Sequence, residues 1–107
     1  MLQEYYIQRR GEAILLKMAV ESAVLDVVTD EKLLHESLAA LDASHHGLVD
    51  VPFGRFGPFG VRLNIHSDDS LSIFADGPEF DPPMEQSAAI WISKEEIRRV
   101  INDALSG

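Results

Sequence analysis

The residues with the most conspicuous chemistry lie in Phe53-Gly-Arg-Phe-Gly-Pro-Phe-Gly60, where Phe-Gly recurs every three positions. Glycine and proline permit a tight path, so the rings can plug the edge of a core. Alternatively, Phe53, Phe56 and Phe59, with Arg55 among them, form an aromatic contact surface for a protein partner. A phosphate-cradling loop is excluded: the glycines are spaced G-x-x-G-x-x-G, no lysine follows, and the next element reads as a strand, whereas phosphate loops lead into a helix N-terminus.

Asp42, Ser44, His45 and His46 supply the residue types of a hydrolytic triad, but neighbours one or two apart on a helix point in different directions. No G-x-S-x-G elbow is present. They read as polar residues finishing a helix, with the histidines near the negative end of its dipole. For a metal, Asp42 and His46 share a helical face and His35, His66 or Asp50 would have to come from elsewhere in the fold. H-E-x-x-H is absent and His35 stands roughly 15 Å along the helix from His45. Without cysteine, thiolate zinc sites, iron–sulfur clusters and disulfides are also excluded.

The acids Asp76, Glu79, Asp81 and Glu85 form the other conspicuous group. A Gly-Pro pair interrupts them and the EF-hand pattern is missing, so calcium is a weak reading. They read as a water-facing loop that keeps the protein soluble, or as a docking site for a basic partner. Between Leu63 and Ser93 there are six acids and no lysine or arginine, so this stretch carries −6 of the net −9. Nucleic acid is disfavoured because its affinity rests on cations that displace counterions. Arg9, Arg10, Arg62, Arg98 and Arg99 form a positive patch only if the fold gathers them. Trp91, between Ile90 and Ile92, reads as core.

The elements that must position these residues vary in clarity. From Lys94 on, Ile97, Val100, Ile101, Ala104 and Leu105 repeat at helical spacing, with Ser93 and Glu96 as a capping box and Ile92 stapling on Ile97. A second helix is predicted from Asp30 to Ser44, with Thr29 as N-cap, a stripe of Leu33, Leu34, Leu38 and Leu41, and Gly47 just past its end. Between Glu12 and Val28 the polar Lys17, Glu21, Ser22 and Asp26 fall on one narrow helical stripe. This predicts a mostly buried helix, against the β-branched Val24, Val27 and Val28. Leu2 to Gln8 fits strand or helix.

Val61, Leu63 and Ile65 alternate with Arg62, Asn64 and His66, a half-buried strand. Placing its apolar face beside Leu71, Ile73 and Ala75 pairs Ile65 with Leu71 and Leu63 with Ile73, through a three-residue turn of Ser67, Asp68 and Asp69. Ala88 to Ile92, apolar throughout, reads as a strand inside the sheet. The prolines of 76–87 make that segment a surface loop.

The expected architecture is one α+β domain over residues 1–107. It has a small antiparallel sheet (hairpin 61–66/71–75 plus strand 88–92) packed by two N-terminal helical segments and a C-terminal helix. No cofactor, metal or catalytic residue is assigned. The favoured function is a small non-catalytic interaction protein (a regulator, adaptor, chaperone-like partner or accessory subunit), contacting a protein through Phe53, Arg55, Phe56, Phe59 and the acids Asp76, Glu79, Asp81 and Glu85. The competing class is a small-ligand or metal-binding protein, or an enzyme, with a site near the Phe-Gly loop and the polar face of 61–66. A homodimer through a sheet edge or the first helix is a third. The N-terminus lacks a signal-peptide pattern and no stretch nears the roughly 20 apolar residues of a membrane span, so the expected location is cytoplasmic.

Overall fold

A computed structural model describes residues 2–20, 23–44, 47–76 and 90–106. Seven strands form one sheet in chain order, each antiparallel to its neighbours: β1 (Leu2–Arg10), β2 (Ala13–Val20), β3 (Ala23–Thr29), β4 (Val49–Phe56), β5 (Phe59–Ile65), β6 (Ser70–Asp76) and β7 (Ile90–Ser93). Helix α1 (Glu31–Ala43) joins β3 to β4, and α2 (Lys94–Ser106) follows β7 directly. The fold is therefore mostly β. This corrects the expected small sheet packed by three helical segments.

The buried helix expected over Glu12–Val28 is instead the β2–β3 hairpin. Lys17 lies opposite Asp26 in its ladder, and Val20 opposite Ala23 at its end. The helical stripe was a coincidence of spacing: residues nine apart around a two-residue connection face each other across strands, where opposite charges are favourable neighbours. Val24, Val27 and Val28 keep the strand conformation that suits their branched side chains. β1 pairs along its length with β2.

Inward residues of the strands meet the apolar faces of both helices in one buried cluster. It includes Ile14, Leu16, Met18, Leu25 and Val27 from the first three strands and Val61, Leu63, Ile65, Leu71 and Ile73 from later ones. Leu34 and Leu41 of α1, and Ile97, Val100 and Ile101 of α2, complete it. Each such side chain contributes roughly 1.5–3 kcal/mol when fully buried.

The hairpin β5–β6 has the expected register, with Ile65 opposite Leu71 and Leu63 opposite Ile73. His66 donates its N–H to the Ser70 carbonyl at 3.1 Å around residues 67–69. The capping box also forms: Glu96 N–H donates to Ser93 Oγ at 3.1 Å and Ser93 N–H to Glu96 Oε1 at 3.2 Å. At α1 the cap is Asp30, which accepts from Leu33 N–H at 2.9 Å, and the expected Thr29 cap is a strand residue. Thr29 is buried and donates its hydroxyl to the Phe53 carbonyl at 2.6 Å.

That bond marks a seam. Strands β1–β3 and β4–β7 are two meanders, and among the described residues only Val28 opposite Arg55 pairs one with the other. Gly54 sits where they approach: a Cβ there would lie 2.6 Å from Val27 Cγ1 and 2.6 Å from the Val28 carbonyl oxygen. No larger residue fits without moving backbone.

Candidate functional site

The Phe-Gly segment is a hairpin and not a loop. Phe56 faces Phe59 across a two-residue turn of Gly57-Pro58. Gly57 has φ 58°, and because proline cannot take the positive φ that a type I′ turn needs at its second central position, the turn is of II′ type. The three rings separate: Phe53 is fully buried at a bulge in β4, Phe56 is 43% exposed, and Phe59 is half-buried. Phe53 plugs the core at the seam. Arg55 is exposed, on the face of the sheet away from the helices. No continuous aromatic platform forms.

The acidic loop divides differently. Asp76 ends β6 opposite Gly60, while Glu79, Asp81 and Glu85 lie outside the described residues. So do His45, His46, residues 77–87 of the expected surface loop, and the first two residues of the strand expected over 88–92. Asp42 accepts an ion pair from Arg98 at 3.2 Å, Asp50 one from Arg62 at 2.9 Å, and Glu31 one from Arg9 at 3.0 Å. Of the five arginines of the expected patch, on β1, β5 and α2, three are paired with acids: Arg9, Arg62 and Arg98. Arg62 and His66, the polar pair of the expected ligand site, turn to different partners, Asp50 and Trp91. Among the described residues no group of three His, Asp or Glu side chains is arranged to hold a metal, and no helix is long and apolar enough to cross a membrane.

Trp91 overturns its expected core position. β7 is an edge strand of the sheet rather than an interior one, and Trp91 lies opposite Ser72, 57% exposed on the face the helices leave open. A strand must place the residue between two inward ones on its other face, so inward Ile92 already sends Trp91 outward. That alternation, present in Ile90-Trp91-Ile92, is the signal that could have found it. His66 stacks on the indole, with ring centroids 5.4 Å apart and planes inclined by 22°.

The indole borders an open cleft of about 550 Å³ lined by Asp68, Asp69, Ser70, Trp91, Ile92, Ser93 and Glu96. Asp68 fixes the turn: its carboxylate accepts from Ser70 N–H at 2.9 Å and Ser70 hydroxyl at 2.6 Å. These two bonds hold its carboxyl below the usual aspartate range, helped by His66 and Lys94. Burial pushes Glu96 upward, but the N–H groups of Leu2 and Ser93 outweigh it and leave that carboxyl below its ordinary value. Asp68 and Glu96 therefore stay ionised into mild acid beside an exposed ring. Such a combination attracts a cation, through ring face and charge together.

A second cleft, about 710 Å³, lies where the β1–β2 turn meets the start of α1 and includes Arg9, Lys32 and Arg55. Its positive charge is largely answered: Arg9 pairs with Glu31 and also donates to the Ala104 carbonyl at 2.8 Å, and the Asp30 carboxylate caps the helix. No family model, curated protein or solved structure matches this chain.

Proposed function

We propose that this chain is a small non-catalytic interaction protein whose contact surface is the Trp91 cleft, and that its partner is a protein presenting an arginine- or lysine-rich segment. One observation carries the reading: an exposed tryptophan, braced by His66, stands beside Asp68 and Asp69 at the end of a sheet face that no helix covers among the described residues. The strongly acidic stretch from Leu63 to Ser93 supports it, since the turn and β7 both belong to that stretch. Aromatic residues anchor interfaces because they bury large area at small entropic cost, and flanking carboxylates select a basic partner and speed encounter.

The contact assignment moves accordingly. Phe53 is withdrawn from it, being core, and Trp91, His66, Asp68 and Asp69 replace the phenylalanines as anchors. Trp91 is the single tryptophan of the chain, so its fluorescence reports on the cleft directly. Titration with an arginine-rich peptide should shift or quench that emission, with affinity falling as salt screens the charges. Asp68→Asn together with Asp69→Asn should abolish the response. An unchanged spectrum with arginine- and lysine-rich peptides, at low salt, would overturn the reading.

A further inference from the structure

From the opposite edge of the sheet we infer that the chain pairs with a second copy of itself, β1 against β1 in antiparallel register centred on Ile7. This goes beyond the Trp91 reading and uses none of its residues. The β1–β2 turn is the two-residue Gly11-Glu12, so Arg10 and Ala13 flank it as a hydrogen-bonded pair, and bonded pairs recur at Gln8 with Leu15, Tyr6 with Lys17 and Glu4 with Ala19. The backbone N–H and C=O of Tyr5, Ile7 and Arg9 therefore point away from β2. No described residue bonds them.

Edges of this kind are normally blunted by proline, bulges or shortness. β7, the other edge, has four residues. β1 has nine, no proline, and one irregularity between Leu2 and Glu4, which leaves a regular run from Glu4 to Arg10. Ile7 is the midpoint of that run.

Charge selects the same register. With Ile7 opposite its own copy, Tyr5 faces Arg9 of the second copy in bonded pairs, while Tyr6 faces Gln8 and Glu4 faces Arg10 in the closer pairs, roughly 4.5 Å between Cα atoms. Two-fold symmetry makes the Glu4–Arg10 pair twice. Moving the axis one residue either way sets Glu4 or Arg10 against an uncharged neighbour or leaves it beyond the pairing. Both side chains are exposed, and Arg10 has no partner among the described residues. The pairing also covers the half-buried Ile7 with its own copy.

Sedimentation equilibrium on the full chain tests this with charge-swapped variants. The wild type should have twice the monomer mass of 11.9 kDa. Arg10→Glu sets like charges opposite each other twice and should weaken the dimer about tenfold or more, and adding Glu4→Arg should restore it. Ile7→Pro removes an outward N–H that β2 does not use, and should give a folded monomer with an unchanged circular dichroism spectrum. A wild type that is monomeric at about 100 μM, a concentration far above the useful range of a specific dimer, overturns the inference. So does a dimer that Arg10→Glu leaves intact or that Glu4→Arg fails to rescue. The charge swap keeps the test decisive even if Ile7→Pro does not fold.

Discussion

The two meanders are built to one plan, a run of antiparallel strands ending directly in a capped helix, yet their sequences announce it unequally. In β5 the alternation is clean, because inward Val61, Leu63 and Ile65 are separated by Arg62 and Asn64. In β2 the inward Ile14, Leu16 and Met18 are separated by Leu15 and Lys17, so the outward face is itself partly apolar. A strand with apolar residues on both faces loses the two-residue period that identifies it. The difference teaches that polarity of the open face, and not strength of burial, makes a strand legible.

The seam between the meanders is the place to break this arrangement. Phe53→Ala should have the largest effect, about 3–5 kcal/mol, since a fully buried ring at the junction is removed. Gly54→Ala should cost about 2–3 kcal/mol by overpacking against the Val28 carbonyl oxygen. Urea unfolding measures both, and a loss under about 0.5 kcal/mol for Gly54→Ala would mean that the meanders can slide apart there. The same plan predicts matched caps: Asp30→Ala and Ser93→Ala should each cost about 1 kcal/mol.

Acid should separate the helices further. Glu96 has a carboxyl held below its ordinary value of 4.5. Its contribution is therefore complete above that value and is lost as pH falls below it, through the lower value it has in the folded protein. Glu96→Gln should flatten that part of the stability curve, as chemical denaturation at stepped pH will show. At the other extreme, the Tyr5 hydroxyl donates to Asp103, and this bond, with burial, raises its ionisation above 10.0. Its contribution is complete below 10.0 and is lost as pH rises through the higher folded value. The smallest change belongs to the cleft: Trp91→Ser should alter stability by no more than about 0.5 kcal/mol, because the ring is exposed and buries little. A large loss would return Trp91 to the core.

The β5–β6 hairpin and both helices are legible in the sequence, whereas β4 is not. Ser93 and Glu96 cap α2 as their spacing requires, and Ile65 opposite Leu71 follows from placing two apolar sets on one face. The site was less so. The phenylalanines drew notice by density, but density does not distinguish Phe53, which a bulge turns fully inward, from Phe56 at a hairpin end. Trp91 stands in an apolar run, and hydrophobicity alone does not tell its outward side chain from inward Ile92. The open face of the sheet decides it.

By itself, then, the sequence determined what depends on neighbours a few residues apart: the α2 capping box and stripe, the β5–β6 turn and register, and the location of the acidic charge. Tertiary structure decided what depends on distant partners. It chose hairpin over helix for residues 13–29, because β1 and the core beneath supply the partners that make extended chain favourable. It set Thr29 against Phe53 and Gly54 against Val28 across a seam that local pattern does not encode. It also left β1 and β7 as edges, and an edge is defined only by the strand that is missing beside it.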